Sequence, residues 1–303
     1  MNELLTLFLN NLLPIFLIAG AGFLLSRFLD VNPRPLSQVT FNLFTPFLIF
    51  NLLTQNKLGG LDILRPMLFV VVLILLIGSL TWLVGKLFQM DRQTITGMLL
   101  ATMFINAGNY GLPVVLFAFG QVGLSHASLF FVMNAILVYT LGVMIASAGS
   151  TSLVKALHNL VKIPAIYALL LALLFIYTGW NIPLPLERTA KLLGDASIPS
   201  LLILLGMQLR SNGWPNKILP IGISAAIRLL VSPALALLMV PIFGITGLAR
   251  QAIVLESAMP TAILSTLLAT EFDVEPPFVT AVVFLTTLLS PLTITPLLAY
   301  LGA

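Results

Sequence analysis

Long apolar runs fill most of the chain, and short polar stretches containing proline or glycine separate them. A helix that crosses the hydrocarbon core of a bilayer needs about 20 mainly apolar residues. By this measure the sequence predicts ten spanning helices, and no gap between them is long enough for a soluble domain. The predicted spans cover roughly residues 4–28, 36–54, 63–87, 94–118, 124–147, 163–179, 188–209, 217–242, 248–270 and 276–302. We therefore expect an all-α integral membrane protein.

The composition points to the same class of protein. Apolar residues make up 59% of the chain and charged residues only 8%, whereas water-soluble proteins carry about 25% charged residues. The lipid bilayer must therefore cover most of the surface. The net charge of +4 comes from 14 Lys and Arg spread along the chain, unlike the basic face of a nucleic-acid-binding protein, so we expect no nucleic acid partner. The chain has no cysteine, and its histidines, His126 and His158, are far apart, so no Cys/His metal site is expected.

Prolines recur at matching places in the two halves of the chain. The matched pairs, with offsets between 147 and 154, are Pro14 and Pro164, Pro46 and Pro199, Pro66 and Pro220, and Pro113 and Pro260. Five spans in each half would place the halves in opposite orientations, which is the inverted-repeat plan of secondary transporters. The sequence thus predicts a first repeat over 1–150, a cytoplasmic linker over 151–162 and a second repeat over 163–303. A channel or a structural bundle with coincidental prolines is the alternative.

The distribution of cationic residues predicts the orientation in the membrane. If both termini lie outside, the cytoplasmic loops carry eight Lys and Arg near the span ends and the outer loops carry five. Cytoplasmic loops are enriched in these residues. We therefore expect a multi-pass protein of the cell (inner) membrane with both termini extracytoplasmic.

The fourth predicted span contains an unusual cluster of helix-breaking residues. Two glycines, two asparagines and a proline fall within nine residues that end at Pro113. In hydrocarbon each backbone group that a break frees would cost several kcal/mol, so we expect this break to line a polar cavity. The first-turn N–H groups of the half-helix that follows suit an anion, and the carbonyls of the half-helix before it suit a cation. A kink that serves only packing is the alternative.

A second break lies at Met259–Thr261 in the ninth predicted span. We expect it to meet the Gly108–Pro113 break and to form the substrate site with it. The predicted substrate-binding residues are Asn109, Gly111, Pro113, Met259, Pro260 and Thr261.

Glu256 lies about eight residues inside the ninth predicted span, and a carboxylate at that depth is costly enough to predict a function. Three interpretations remain open. Glu256 coordinates a cation together with carbonyls of the breaks, or it is protonated as part of a proton relay, or it pairs with Arg228 in the eighth span. If Arg228 faces the cavity instead, it becomes a candidate ligand for an anionic substrate.

Motifs for catalysis are lacking. The chain contains no zinc-protease, serine-hydrolase or phosphate-loop signature. We therefore expect no enzyme and no cofactor beyond a coupling ion, and any driving force must be an ion gradient or the membrane potential.

Three motifs resemble the auxin efflux carrier family in its prokaryotic form. They are Asn106-x-Gly108-Asn109-x-Gly111-Leu112-Pro113, Met259-Pro260-Thr261-Ala262 and Val138-Tyr139-Thr140. The resemblance implies ten transmembrane helices in two inverted five-helix repeats with crossed broken helices 4 and 9, the fold of bile-acid/sodium symporters. It also implies a scaffold of helices 1, 2, 6 and 7, a transport domain of helices 3–5 and 8–10, an elevator-like movement and a homodimer. The implied substrates are organic anions, such as auxin in plants and dicarboxylates in some bacteria.

The resemblance also implies roles for particular residues. Tyr139 would lie on the substrate side, with Asn109 and Pro113 at the first break and Pro260 at the second. Glu256 looks like the cation-binding glutamate of the symporters, with Asn106, Asn109 and Asn134 as co-ligands of Na+. Plant carriers of the family are thought to lack such sodium coupling, so Glu256 marks a departure from them.

We therefore expect a secondary carrier for a small organic anion, coupled to Na+ or H+ through Glu256. The alternatives are an uncoupled exporter driven by the membrane potential and a membrane sensor that keeps the fold without transporting.

Overall fold

The computed structural model describes residues 2–29, 31–56, 60–147, 161, 163–208 and 217–303. Across these residues the backbone is helical, apart from short connections and one isolated antiparallel bridge. Seven of the described helices are long and apolar enough to cross a bilayer, namely α1 (Glu3–Phe28), α2 (Pro33–Asn56), α3 (Gly60–Leu87), α5 (Ala107–Ala146), α7 (Leu184–Gln208), α8 (Ile218–Met239) and α11 (Pro276–Leu301). The shorter helices are α4 (Arg92–Met103), α6 (Pro164–Thr178), α9 (Gly247–Ser257) and α10 (Ile263–Glu271). The expected all-α membrane protein is confirmed, and the ten-span inverted repeat stays a prediction.

A bend inside one long helical segment separates the fourth predicted span from the fifth. Helix α4 ends at Met103, and α5 continues from Ala107 to Ala146 with a sharp bend at Gly120. Gly120 has φ 65° and ψ −164°, a backbone conformation that L-residues avoid, so the bend depends on the missing side chain. The bend lies between the predicted span ends at residues 118 and 124, and the interruption after Met103 divides the fourth predicted span in two. The predicted linker over 151–162 lies outside the described residues except for position 161.

One group of helices consists of α1, α2, α6 and α7. Within it, α1 packs against α7, and α2 packs against both α6 and α7. The backbones of α1 and α7 approach so closely that a Cβ atom on Gly206 would overlap the carbonyl of Ala19. A Cβ on Gly22 would likewise overlap the carbonyl of Ile203. Small residues allow this approach, and in lipid close van der Waals packing is a main source of helix association.

A second group contains the interrupted helices. Helix α4 packs against α3, α8 and α11, α9 packs against α5 and α8, and α10 packs against α11 and α4. Asp91 starts α4 as its N-cap, because its carboxylate accepts hydrogen bonds from the Thr94 N–H (2.8 Å) and the Thr94 hydroxyl (2.6 Å). Lys217 links the same end to Glu275, because its Nζ donates both to the Thr94 hydroxyl (2.8 Å) and to Glu275 Oε1 (2.6 Å). These contacts fix the N-terminal end of α4, whose C-terminal end reaches the candidate site.

The close approach of α1 and α7 can be tested with a Gly206→Ala variant. The added methyl group would force the two helices apart, and we expect the free energy of unfolding to fall by about 1–3 kcal/mol, as for other overpacked contacts. Gly20→Ala on α1 is the control, because a Cβ there meets nothing within 4 Å. Thermal unfolding of both variants in detergent would measure this, and equal melting temperatures would refute the close contact.

The Asp91 cap predicts a pH-dependent stability. The Thr94 hydroxyl, followed by the Thr94 N–H, holds the pKa of Asp91 below its usual range. A lowered folded-state pKa stabilises the fold at neutral pH, and this contribution is lost as the pH falls through the lowered pKa. Asp91→Ala should cost roughly 1 kcal/mol at pH 7, and Asp91→Ser should restore most of it. The difference in melting temperature between wild type and Asp91→Ala should shrink in acid; a constant difference would contradict this assignment.

Candidate functional site

The two helix breaks cross and share hydrogen bonds. Ile105 and Thr261 form the isolated antiparallel bridge. On either side of it, the Asn106 N–H donates to the Pro260 carbonyl (2.9 Å) and the Ala262 N–H donates to the Phe104 carbonyl (3.0 Å). Each break therefore supplies partners for backbone groups that the other break leaves free, as lipid requires. We call the residues 104–106 and 258–262 the crossing.

The first break lies earlier in the chain than the sequence predicts. The residues outside helical structure are 104–106, whereas the expected break was Gly108–Pro113. Residues Ala107–Gly111 form a π-helical turn, and Pro113 is the second residue of the α-helical part that follows it. The glycines and asparagines thus line the first turn of α5. A local pattern could not show the pairing with residue 261, which determines where the helix stops.

Asn134 has a structural partner at the crossing. Its Oδ1 accepts from the Ile105 N–H (3.3 Å), and its Nδ2 donates to the Ile105 carbonyl (2.9 Å). Each end of the side-chain amide therefore has a partner in the backbone of Ile105. The oxygen can accept a second bond, so the expected role of Asn134 as a Na+ ligand stays a prediction.

The second break also uses hydroxyl groups to complete its hydrogen bonds. The Thr261 hydroxyl donates to the Ala101 carbonyl (2.7 Å), and the Thr261 N–H donates to the Thr286 hydroxyl (3.2 Å). Met259 is fully buried, and its N–H donates to the Glu256 carbonyl. The second break therefore lies at Met259–Thr261, as the sequence predicts, and the role of these residues in substrate binding stays a prediction.

Glu256 is the unusual residue of the site. Its side chain is fully buried, and neither carboxylate oxygen has a hydrogen-bond partner among the described residues. The carboxylate lies against the first turn of α5, where a Cβ on Gly111 would overlap it. Gly111 therefore makes room for the carboxylate at the positive end of a half-helix.

Two asparagines of the same region also have free polar atoms. Asn106 Nδ2 and Asn109 Oδ1 are buried without a partner among the described residues, while Asn109 Nδ2 donates to Gln208 Oε1 (3.0 Å). Gln208, the last residue of α7, was not predicted from the sequence, because a single glutamine at a span end gives no signal. The carboxylate of Glu256 and the oxygen of Asn109 are hard ligands that suit Na+. A proton on Glu256 would serve the unpaired carboxylate equally well.

Arg228 does not pair with Glu256. The structure describes both side chains, and no ion pair joins them. The Arg228 guanidinium instead donates to the carbonyls of Thr102 and Ser257 and to the hydroxyl of Ser232. The interpretation of Glu256 as a simple partner of Arg228 is therefore wrong.

Of two tyrosines in this region, Tyr139 is predicted from the sequence and Tyr110 is not. Tyr139 is half-buried in the π-helical turn Val138–Gly142, five residues beyond Asn134, and its place on the substrate side stays a prediction. Tyr110 was not predicted. It is fully buried, and its hydroxyl bonds the Ser290 hydroxyl at 2.8 Å. This bond ties the first turn of α5 to α11.

The contact between Gly111 and Glu256 generates a test. In Gly111→Ala the new methyl group would collide with the carboxylate, so we expect a loss of about 1–3 kcal/mol in the free energy of unfolding. Gly222→Ala on α8 is the matched control, because a Cβ there meets nothing within 4 Å. The control should be neutral or gain up to about 1 kcal/mol from helix propensity. Thermal unfolding decides, and equal stability of the two variants would mean that the carboxylate does not lie against Gly111.

Comparison with known proteins places the chain in a family. A family described as "Membrane transport protein" matches residues 7–298. A protein of Methanothermobacter thermautotrophicus, described as an uncharacterized transporter, is 26% identical over 266 residues, which cover 86% of each chain. A second uncharacterized transporter, from Methanocaldococcus jannaschii, is 26% identical over 275 residues, which cover 88% of each chain. The family match spans nearly the whole sequence, so the chain belongs to this membrane transport family, the auxin efflux carrier family that its motifs resemble.

Proposed function

We propose that this protein is a secondary transporter of a small organic anion, coupled to Na+ or H+ through Glu256. The observation that supports the proposal most directly is a fully buried carboxylate with no partner for either oxygen among the described residues. An unpaired ionised carboxylate in a membrane interior costs several kcal/mol. The charge must therefore be removed by a proton or balanced by a bound cation. Either of these can exchange with the solution when the site opens.

The first turn of α5 is the proposed seat for the anion. The first backbone hydrogen bond of α5 runs from the Gly111 N–H to the Asn106 carbonyl (3.0 Å), so the N–H groups of residues 107–110 precede it. Such groups bind carboxylates well, and the helix dipole adds to the attraction. The free Asn106 Nδ2 is a further donor. The proposed substrate-side residues are Asn109, Gly111, Pro113, Tyr139, Met259, Pro260 and Thr261.

The proposed anion site and the proposed cation site at Glu256 share one turn of helix, which gives a physical basis for coupling. Glu256 lies against Gly111, within the turn that would bind the anion. An ionised Glu256 repels a second carboxylate, whereas a protonated or cation-bound Glu256 does not. Anion and cation should therefore bind together, and each should raise the affinity for the other.

The packing suggests how the site would change sides. We propose that α1, α2, α6 and α7 form a scaffold and that the helices around the crossing form a transport domain that moves as an elevator. The close packing of α1 on α7 supports a rigid scaffold. In this scheme the Asn109–Gln208 hydrogen bond joins the two parts and must break during the movement. The inverted five-plus-five repeat, the homodimer and the extracytoplasmic termini belong to the same proposal.

A Glu256→Gln variant in proteoliposomes tests the proposal. A thermal-shift screen of purified protein against carboxylates, including malate and malonate, would first identify a ligand, since ligands raise the stability of the folded state. Uptake of that ligand should then depend on Na+ or pH in the wild type. In Glu256→Gln this dependence should disappear, with at least a tenfold loss of concentrative uptake.

Glu271→Gln is the matched control, because Glu271 is an exposed carboxylate at the end of α10. It should keep both uptake and ion dependence. Unchanged flux in Glu256→Gln, with unchanged sodium and pH dependence, would reject coupling and favour an exporter driven by the membrane potential. Saturable binding of a carboxylate without any flux would favour a sensor.

A further inference from the structure

The Arg228 side chain donates hydrogen bonds to backbone carbonyls at the C-terminal ends of α4 and α9, the helices that precede the two breaks. It is fully buried and lies in the π-helical turn Ile227–Val231 of α8. Its Nη1 donates to the carbonyl of Thr102 in the last turn of α4 (2.7 Å), and its Nη2 donates to the carbonyl of Ser257 at the end of α9. The Ser232 hydroxyl accepts from Nη2 and donates to the same Ser257 carbonyl (2.8 Å).

Both carbonyls are available because of the crossing. In a continuous helix the Thr102 carbonyl would accept from the N–H of residue 106, but the Asn106 N–H donates to Pro260. The Ser257 carbonyl would accept from the N–H of residue 261, but the Thr261 N–H donates to the Thr286 hydroxyl. The crossing thus leaves two carbonyls, one from each negative helix end, that converge on a single position.

Converging carbonyls at helix C-termini favour a positive charge. In transporters with broken helices, unwound carbonyls and C-terminal ends coordinate exchangeable Na+ or H+. Here the chain's own guanidinium takes that position, and its planar fork reaches both carbonyls at once. A side chain without charge could donate hydrogen bonds there, but it would not balance two negative dipole ends in a medium of low dielectric constant.

We propose that Arg228 is a resident cation, a positioning residue that fills this second cation position and holds the ends of α4 and α9 together. With Arg228 fixed, the site needs only one exchangeable cation, at Glu256, to accompany one carboxylate. The charges of Arg228, Glu256, the cation and the anion then sum to zero. Without Arg228 the same occupied site would be negative, and a second cation would be required. This statement of stoichiometry rests on the proposed function, whereas the role in holding the crossing does not.

Chemical rescue of Arg228→Ala tests the resident cation without a substrate. We expect a large fall in melting temperature, which millimolar guanidinium should largely restore and Na+ should restore in part. Urea has nearly the same shape without the charge, so it should restore nothing. Arg65→Ala removes an exposed arginine that bonds the Gly244 carbonyl, and its melting temperature should not respond to guanidinium. A lack of rescue, or equal rescue by urea, overturns the proposal.

Two milder variants keep the test decisive if Arg228→Ala does not fold. Arg228→Lys retains the charge, and Arg228→Gln retains N–H donors without the charge. Lysine should be the more stable of the two at neutral pH. If the Arg228→Gln variant is as stable as Arg228→Lys, or more stable, hydrogen bonding alone is sufficient and the proposal of a resident cation is overturned.

Ion-dependent uptake in proteoliposomes tests the proposed stoichiometry of one exchangeable cation for each carboxylate. The Hill coefficient for the coupling ion should be about one in the wild type and should rise toward about two in guanidinium-free Arg228→Ala or Arg228→Gln, because the number of sites limits this coefficient. A coefficient of two in the wild type would reject single-cation coupling. If uptake proves independent of Na+ and pH, the proposed coupling through Glu256 fails, while rescue of stability by guanidinium still supports the resident cation.

Discussion

Backbone hydrogen bonding in a medium without water is the constraint on which this structure depends. Two helices are interrupted inside the protein, and every N–H or carbonyl that they free would cost several kcal/mol if left alone. The breaks meet that requirement mainly by crossing, since Ile105 and Thr261 pair as in a sheet. Asn134, Thr261 and Thr286 supply partners that the crossing lacks. The site is therefore held together by backbone pairing between residues that lie 156 positions apart in the sequence.

Two opposite charges are buried near the crossing without forming an ion pair. Arg228 lies among carbonyls at the C-terminal ends of α4 and α9, and Glu256 lies against the first turn of α5. If Arg228 and Glu256 formed a buried ion pair, each would have a permanent partner, and the carboxylate could not bind a cation that exchanges with the solution. Fixed carbonyl dipoles stabilise the arginine, whereas the carboxylate has no fixed partner among the described residues. This division is the physical reason to regard Arg228 as part of the framework and Glu256 as the exchanging group.

The features predicted from sequence were those that composition and local pattern determine. Hydropathy gave most of the helices, and the cluster from Asn106 to Pro113 marked the first break to within a few residues. Burial of Glu256 followed from its depth in an apolar run. The partners could not be predicted, because Thr102 and Ser232 contribute through a carbonyl and a hydroxyl that have no sequence signature. The backbone partner of Asn134 could not be predicted either, since an amide can bind a backbone or an ion equally well.

Gly111 connects the framework to the proposed chemistry. Its N–H donates the first backbone hydrogen bond of α5, and its missing side chain makes room for the Glu256 carboxylate. Any larger residue would push the carboxylate away from the turn that offers free N–H groups. Because the electrostatic interaction between two bound charges falls with distance, this displacement would weaken the effect of one ligand on the other. The distance between the proposed anion and cation sites, and with it the strength of the proposed coupling, therefore depends on the absence of a side chain at Gly111.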